Sequence, residues 1–232
     1  MKKFIHRDDV GDFEIPKRVE KDGIRYYVTP DGNHYPSITS VLSQQENLGL
    51  EAWKEKVGKE EAKRISQESS RIGTAVHQLA EFYLSNYIIK LENENKKIVD
   101  TFNRLRFLLG NINNIVGNEI ALYSDLLRVA GTADCIAEYN GVPSVIDFKT
   151  SRKPKKEEWI DDYYMQTFAY KLMFEEMTGL EIKQVVILVA CVDQFDVQVF
   201  KKPASDSDKY LTKLVNIMKA NPHITSAMHQ PI

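Results

Sequence analysis

Asp134, Asp147 and Lys149 fall within one stretch, GTADCIAEYNGVPSVIDFKTS, residues 131–151, whose alternating pattern around Asn140-Gly141 reads as a β-hairpin. On a strand, residues two apart point to one face, so Asp147 and Lys149 share a side while Phe148 takes the other. The turn lies about midway between Asp134 and Asp147, which lets the two aspartates converge. Two carboxylates at one place repel and raise each other's pKa unless a cation sits between them. A hard divalent ion such as Mg²⁺ or Mn²⁺ satisfies both, with the backbone carbonyl of Phe148 as a further oxygen ligand. Lys149 is then suited to orient or deprotonate an attacking water and to offset charge on a phosphate in transfer.

A lone Asp-x-Lys on a strand is usually an exposed ion pair, so its neighbours decide the reading. Gln166 and Tyr170 stand four apart on the helix that follows and share a face. His77 stands four after Gly73 on an earlier helix, and Glu119 opens the first strand of the sheet. Each has an ordinary structural reading when taken alone.

The elements that must position these groups are legible from periodicity. Residues 24–29, IRYYVT, read as a strand leading into the turn PDGN, and Ser37 or Thr39 caps a short helix after Pro36. Helices are expected at 50–65, 70–91 and 97–116, the last with Phe102, Leu105, Leu108, Leu109, Ile112 and Ile115 on its apolar side. Three strands follow from Glu119, then a helix over 157–178, a strand pair over 182–202 and a last helix from Ser205 to Ala220. The order is that of an α/β or α+β protein, with a central mixed β-sheet flanked by helices. Residues 67–232 read as the core, with residues 1–66 as a helical and hairpin elaboration packed on it.

Composition sets the bounds. The 232 residues carry 43% hydrophobic and 28% charged side chains, as an ordinary globular chain does, and no apolar run long enough to span a membrane. The start, MKKFIHRDDVGDFEIPKR, lacks the apolar core of a signal peptide, and its acidic residues argue against a transit peptide. A cytoplasmic setting is expected. A net charge of −2 gives no global attraction to nucleic acid, so phosphate binding must come from a local basic patch. The two cysteines, Cys135 and Cys191, cannot supply the four thiolates of an iron-sulfur cluster, and none is expected.

In chain order the candidates read G-x-x-x-H, Glu, G-x-x-D, D-x-K-T and Q-x-x-x-Y over residues 73–170. This set resembles the RecB-like branch of the PD-(D/E)XK nuclease superfamily. ADCIAEYNGVPSVIDFKTSRKPKK and HYPSITSVL are similar, more narrowly, to the mitochondrial genome maintenance exonuclease family and its phage and bacterial relatives. The resemblance implies a restriction-endonuclease-like core and metal-dependent hydrolysis of DNA, acting on single-stranded ends or flaps in replication, recombination or repair. It implies His77, Asp134 and Asp147 as metal-site residues and Lys149 as the catalytic lysine. Gln166 and Tyr170 become active-site supports or DNA contacts, and Glu119 an accessory carboxylate.

The basic turn after the motif strand, with Thr150, Ser151, Arg152, Lys153, Lys155 and Lys156, is where phosphates of a bound strand are expected to pass. Tyr35 and Ser37 of the N-terminal segment are further DNA-contact candidates, and one of Trp159, Tyr163 and Tyr164 is suited to stack on an unpaired base. A RecB-like endonuclease and an inactive DNA-binding module of the same fold stand as alternatives. The expected partner is single-stranded DNA, with no membrane and a monomeric chain, in a bacterial or phage-infected cell.

Overall fold

Asn140 and Gly141 both take positive φ, 53° and 77°, the conformation that turns two strands tightly back on each other. They join β5 (Val129–Tyr139) to β6 (Val142–Ser151), as their sequence requires. The hairpin lies inside a computed structural model that describes residues 2–8, 10–11, 13–21, 24–45 and 48–221.

In chain order, β1 (Lys17–Lys21), β2 (Ile24–Val28) and β3 (His34–Pro36) form a small antiparallel sheet, followed by α1 (Ile38–Leu42) and α2 (Leu48–Val57). Ser37 caps α1, its hydroxyl accepting from the Ser40 N–H at 3.1 Å. Next come α3 (Lys59–Leu84), α4 (Lys96–Leu109), β4 (Ile112–Ser124), β5 and β6. A short 3₁₀ turn leads into α5 (Asp161–Thr178), which ends at Gly179 with φ 71°. β7 (Gln184–Cys191), β8 (Val197–Pro203) and α6 (Ser207–Ala220) complete the described fold.

The second sheet runs β4-β5-β6-β7-β8, and only β6 and β7 are parallel, with α5 as their crossover. One face is covered by α1, α5 and α6 through Phe168, Tyr164, Tyr210 and Leu214, the other by α3 and α4 through Val76, Phe102, Leu105 and Leu109. The expected mixed sheet between helical layers is present. No described helix is long and apolar enough to cross a membrane.

Four expectations change in detail. Gly58, at φ 88°, divides α2 from α3, and α3 then runs unbroken through residue 66 to Leu84. Residues 66–69, between the two expected helices, hold no apolar side chain to reveal the join, yet neither Gly nor Pro to break it. The helix expected to reach 91 ends instead at Leu84, where Asn86 takes φ 63° and exchanges hydrogen bonds with the Phe4 backbone at 2.8 and 3.0 Å. The helix expected to reach 116 ends at Leu109, and Ile112 and Ile115 belong to β4. A bulge between Asn113 and Gly117 breaks the strict alternation, so a strand there buries residues at helical spacing. A further strand, β1, pairs with β2 where none was expected.

Candidate active site

The ladder between β5 and β6 ends at Cys135↔Ile146, one step before Asp134 and Asp147 would face each other. There the Asp134 side chain replaces the missing ladder partner, Oδ2 accepting the Phe148 N–H at 2.6 Å. β6 continues in register beside β7 through Ser151, so Asp147 and Lys149 stay on a rigid strand. Phe148 packs into the layer under α3 and α4, while Asp147 faces α5. The expected division of faces along D-F-K is observed.

Asp147 is 1% exposed and bridges two elements. Its Oδ2 pairs with the Lys149 ammonium, and its Oδ1 accepts from Gln166 Nε2 at 3.3 Å. Gln166 Nε2 also lies 3.2 Å from the Tyr170 hydroxyl, so the helical pair Gln166 and Tyr170 is tied to the strand carboxylate. Tyr170 reaches this place because residue 131 has no side chain. A Cβ on Gly131 would stand 2.6 Å from Tyr170 Cε1 and 3.0 Å from its hydroxyl. Gly131→Ala is therefore expected to cost about 1–3 kcal/mol of stability, as overpacking does, and to displace Tyr170 from Gln166. Denaturant unfolding checks the first effect, and a wild-type midpoint would show that the ring has room to move.

α3 brings His77 to the other side of Asp134, its Nδ1 3.4 Å from Oδ1. Gly73, one turn earlier, faces Thr150 so closely that a Cβ would meet Oγ1 at 3.2 Å. Glu119 arrives from β4 with φ 50°, a conformation non-glycine residues rarely adopt, between Asn118 and Ile120, which pair with Cys135 and Ala133 on either side of Asp134. One ligand atom from each of His77, Glu119 and Asp134 lies within 4.8 Å of the others. That spacing fits donors arranged around a single divalent ion at about 2.0–2.6 Å from each.

The charges interact strongly. Burial raises the Asp147 carboxyl to about 6, against the pull of Lys149 and with the help of Asp134. Burial would raise Asp134 as well, but His77, Lys149 and the Phe148 N–H together hold it below the usual carboxylate range. For Lys149, burial works to lower the value and is outweighed by Asp147 and Asp134, which keep it above that of a free lysine. His77 behaves alike: desolvation acts downward, and Asp134 carries the imidazole upward. Partial desolvation lifts Glu119 to about 7, with Asp134 adding to the rise and His77 and Arg18 opposing it. Neighbouring acids driven in opposite directions are what one small space shared by like charges produces.

His77, Glu119, Asp134, Lys149, Gln166 and Tyr170 line one open cleft of about 640 Å³, walled by β1 and β2, the start of α1, α3, the central sheet and α5, with Asp147 buried behind Lys149. Ser37 and Thr39 are in its wall, as are Gln78, Glu81 and Thr132. Arg18 and Arg25 are there too, and neither was among the sequence candidates. Arg25 carried a signal, since it alternates with Tyr27 along IRYYVT; Arg18 carried none without β1.

Tyr35 is not brought to the cleft. Its ring is buried against Tyr123 and its hydroxyl donates to Asp125 at 2.6 Å, so it is closed to a stacking base. Arg152, Lys153, Lys155 and Lys156 also lie outside the cleft wall. Arg152 pairs with Asp193 at 2.7 Å, the Ser151 hydroxyl donates to the Lys153 carbonyl, and Lys156 sits over the Trp159 ring at 5.1 Å. Of the helix aromatics, Trp159 is exposed, Tyr164 is buried, and Tyr163 lies under the Lys149 ammonium at 5.2 Å.

The chain matches the model of the PD-(D/E)XK nuclease superfamily over residues 89–228. It is 32% identical over 132 residues to mitochondrial genome maintenance exonuclease 1 of Homo sapiens, covering 53% of this chain and 38% of that one. The Xenopus tropicalis protein of the same name is 26% identical over 157 residues, covering 62% and 43% respectively. The chain thus spans less than half the length of these relatives. Among solved structures, a candidate exonuclease from Eubacterium rectale aligns with a TM-score of 0.42 at 14% identity, covering 68% of this chain and 66% of that one. The family match covers more than half of the chain and includes both motif aspartates, Lys149, Gln166 and Tyr170, and the chain accordingly belongs to the PD-(D/E)XK nuclease superfamily.

Proposed function

We propose that this nuclease domain is a metal-dependent exonuclease that hydrolyses phosphodiester bonds at single-stranded DNA ends or flaps. The observation that carries the reading is the gathering, in one cleft, of the His77, Glu119 and Asp134 donor set beside the Asp147–Lys149 pair. In this reading His77, Asp134 and Glu119 would hold the ion, with Asp147 and the Phe148 carbonyl as further candidate donors on β6. The donors suit Mg²⁺ or Mn²⁺, and the imidazole favours Mn²⁺ more than an all-oxygen set would. Such an ion supplies Lewis-acid charge and lowers the pKa of a bound water.

The chain's own groups do the remainder. Lys149, held as an ammonium by Asp147 and Asp134, places a positive charge where the attacked phosphate gathers negative charge. Gln166 fixes the Asp147 carboxylate, and Tyr170 fixes Gln166. Thr39 offers its hydroxyl to a bound strand from the cleft wall, while Ser37, buried and bonded to Thr39 and Ser40, holds the start of α1 in place, and the turn holding Thr150 to Lys156 is assigned to guide the strand beyond the cleft. The N-terminal part, through residue 66, serves as a wall added to the nuclease core. The pathway served is replication, recombination or repair, and the two free buried cysteines support a reducing setting such as bacterial or phage-infected cytoplasm.

Linear and circular single-stranded DNA, each with Mg²⁺, Mn²⁺ or EDTA, test the proposal on a gel. Loss of the linear strand alone, and only with metal, is expected. Cutting of the circle would make the enzyme an endonuclease, and binding without cleavage under either metal would leave a DNA-binding module.

A further inference from the structure

The cleft that is to receive a polyanion is lined by Glu81, Glu119 and Asp134, with Asp147 directly behind Lys149. Lys149 is already committed to Asp147, and the basic turn lies outside the wall. Among the described residues, the permanent cations left in the lining are Arg18 and Arg25.

The small sheet places both by strand geometry. Arg18 stands opposite Tyr27 and Glu20 opposite Arg25 across β1 and β2, so Arg18, Arg25 and Tyr27 share one face. Tyr27 is buried under that face, its hydroxyl 2.9 Å from Thr132 Oγ1 on β5. The Arg25 carbonyl accepts the Ser37 N–H at 3.0 Å, which ties β2 to the start of α1. The arginines are thus carried on backbone anchored to the central sheet, and both line the cleft. Among the described residues, neither forms an ion pair with a carboxylate, although Glu20 faces Arg25 in the register. Arg25 is half-buried and Arg18 exposed, so their donors are open to a ligand on the cleft side.

We propose that Arg18 and Arg25 are the substrate-positioning residues of this cleft, each gripping a backbone phosphate of the single strand whose scissile bond lies at Lys149. This rests on the nuclease reading above and assigns residues that the motif does not contain. The planar guanidinium suits a phosphate because it can offer two parallel N–H donors. A strand held by two cations on the small sheet is aligned with Lys149 before the bond breaks, and its bases need not be read.

The test is binding and turnover of an end-labelled oligo-dT, with wild type, Arg18→Ala/Arg25→Ala and Arg18→Lys/Arg25→Lys. Affinity is followed by fluorescence anisotropy in EDTA at increasing NaCl. A single-strand phosphate contact contributes about 0.7 to the slope of log K against log salt, so the double alanine variant is expected to lose about 1.4. KM rises about tenfold or more while kcat at saturation stays near wild type, and the lysine variant restores the slope but only part of the affinity. Circular dichroism establishes that each variant is folded, and the lysine pair keeps the test usable should the alanine pair unfold. An unchanged slope and KM in a folded variant would overturn the proposal, as would a fall in kcat with KM unchanged, which would mean the arginines act only on the carboxylates. If wild type neither binds nor cuts the oligonucleotide, the nuclease reading falls and this one with it; if wild type cuts and the variants match it, only the clamp is lost.

Discussion

Lys149→Ala is expected to lower kcat by at least about 10² to 10³-fold, the usual effect of removing one preorganised charge from a transition state. The ammonium is held by Asp147, itself 1% exposed and fixed from its other oxygen by Gln166, so little motion is needed to present it to a phosphate. Alanine removes that charge and leaves the His77, Glu119 and Asp134 donors in place. Metal binding, followed by calorimetry, should therefore persist, and so should binding of an oligonucleotide in EDTA. Lys149→Arg is not expected to rescue, because a guanidinium is larger and would have to displace the Tyr163 ring beneath it. Substantial cleavage by Lys149→Ala would remove the lysine from the mechanism and make it a partner for Asp147 only.

Asp134→Asn should weaken Mn²⁺ binding by about 100-fold or more, since changes to groups one step further from a metal already cost 10–100-fold. Asp134 is central to the cluster: one oxygen accepts the Phe148 N–H and the other approaches His77. Asparagine retains an acceptor for one of these contacts and loses the charge. Hydrolysis should fall with the affinity, whereas DNA binding in EDTA should hold or tighten, because one negative charge has left the cleft. The paired comparison is sharper still. Glu119 shares the 4.8 Å donor cluster and Asp147 is engaged by Lys149, so Glu119→Gln should cost more metal affinity than Asp147→Asn. The reverse order in a calorimetric titration would show that the ion sits nearer β6 than the donor cluster implies.

Much of this was legible before any coordinates. The hairpin over 131–151 has its turn at a dipeptide that accepts positive φ, and its D-F-K alternation follows from the two-residue repeat of a strand. Gln166 and Tyr170 share a helix face because four residues make one turn. Local rules fail where tertiary contacts intervene. Ile112 and Ile115 read as helix because a bulge in β4 mimics helical spacing, and residues 66–69 fall outside the expected helices because a polar stretch shows no apolar stripe. Tyr35 looked available for stacking and is instead buried by Tyr123 and Asp125, which lie far along the chain.

The sequence by itself determined the hairpin and the helix that carry the motif, the faces on which Asp147, Lys149, Gln166 and Tyr170 stand, and the chemistry that two acids and a lysine imply. All of these depend on residues within a few positions of one another, where backbone geometry is the main constraint. Only the tertiary structure decided that Glu119, held at positive φ beyond a bulge, joins His77 and Asp134, and that Arg18 and Arg25 line the same cleft. Those groups come from separate strands and helices, and which of them meet depends on how the small sheet and α3 pack on the central one, a long-range outcome of burial that no local spacing encodes.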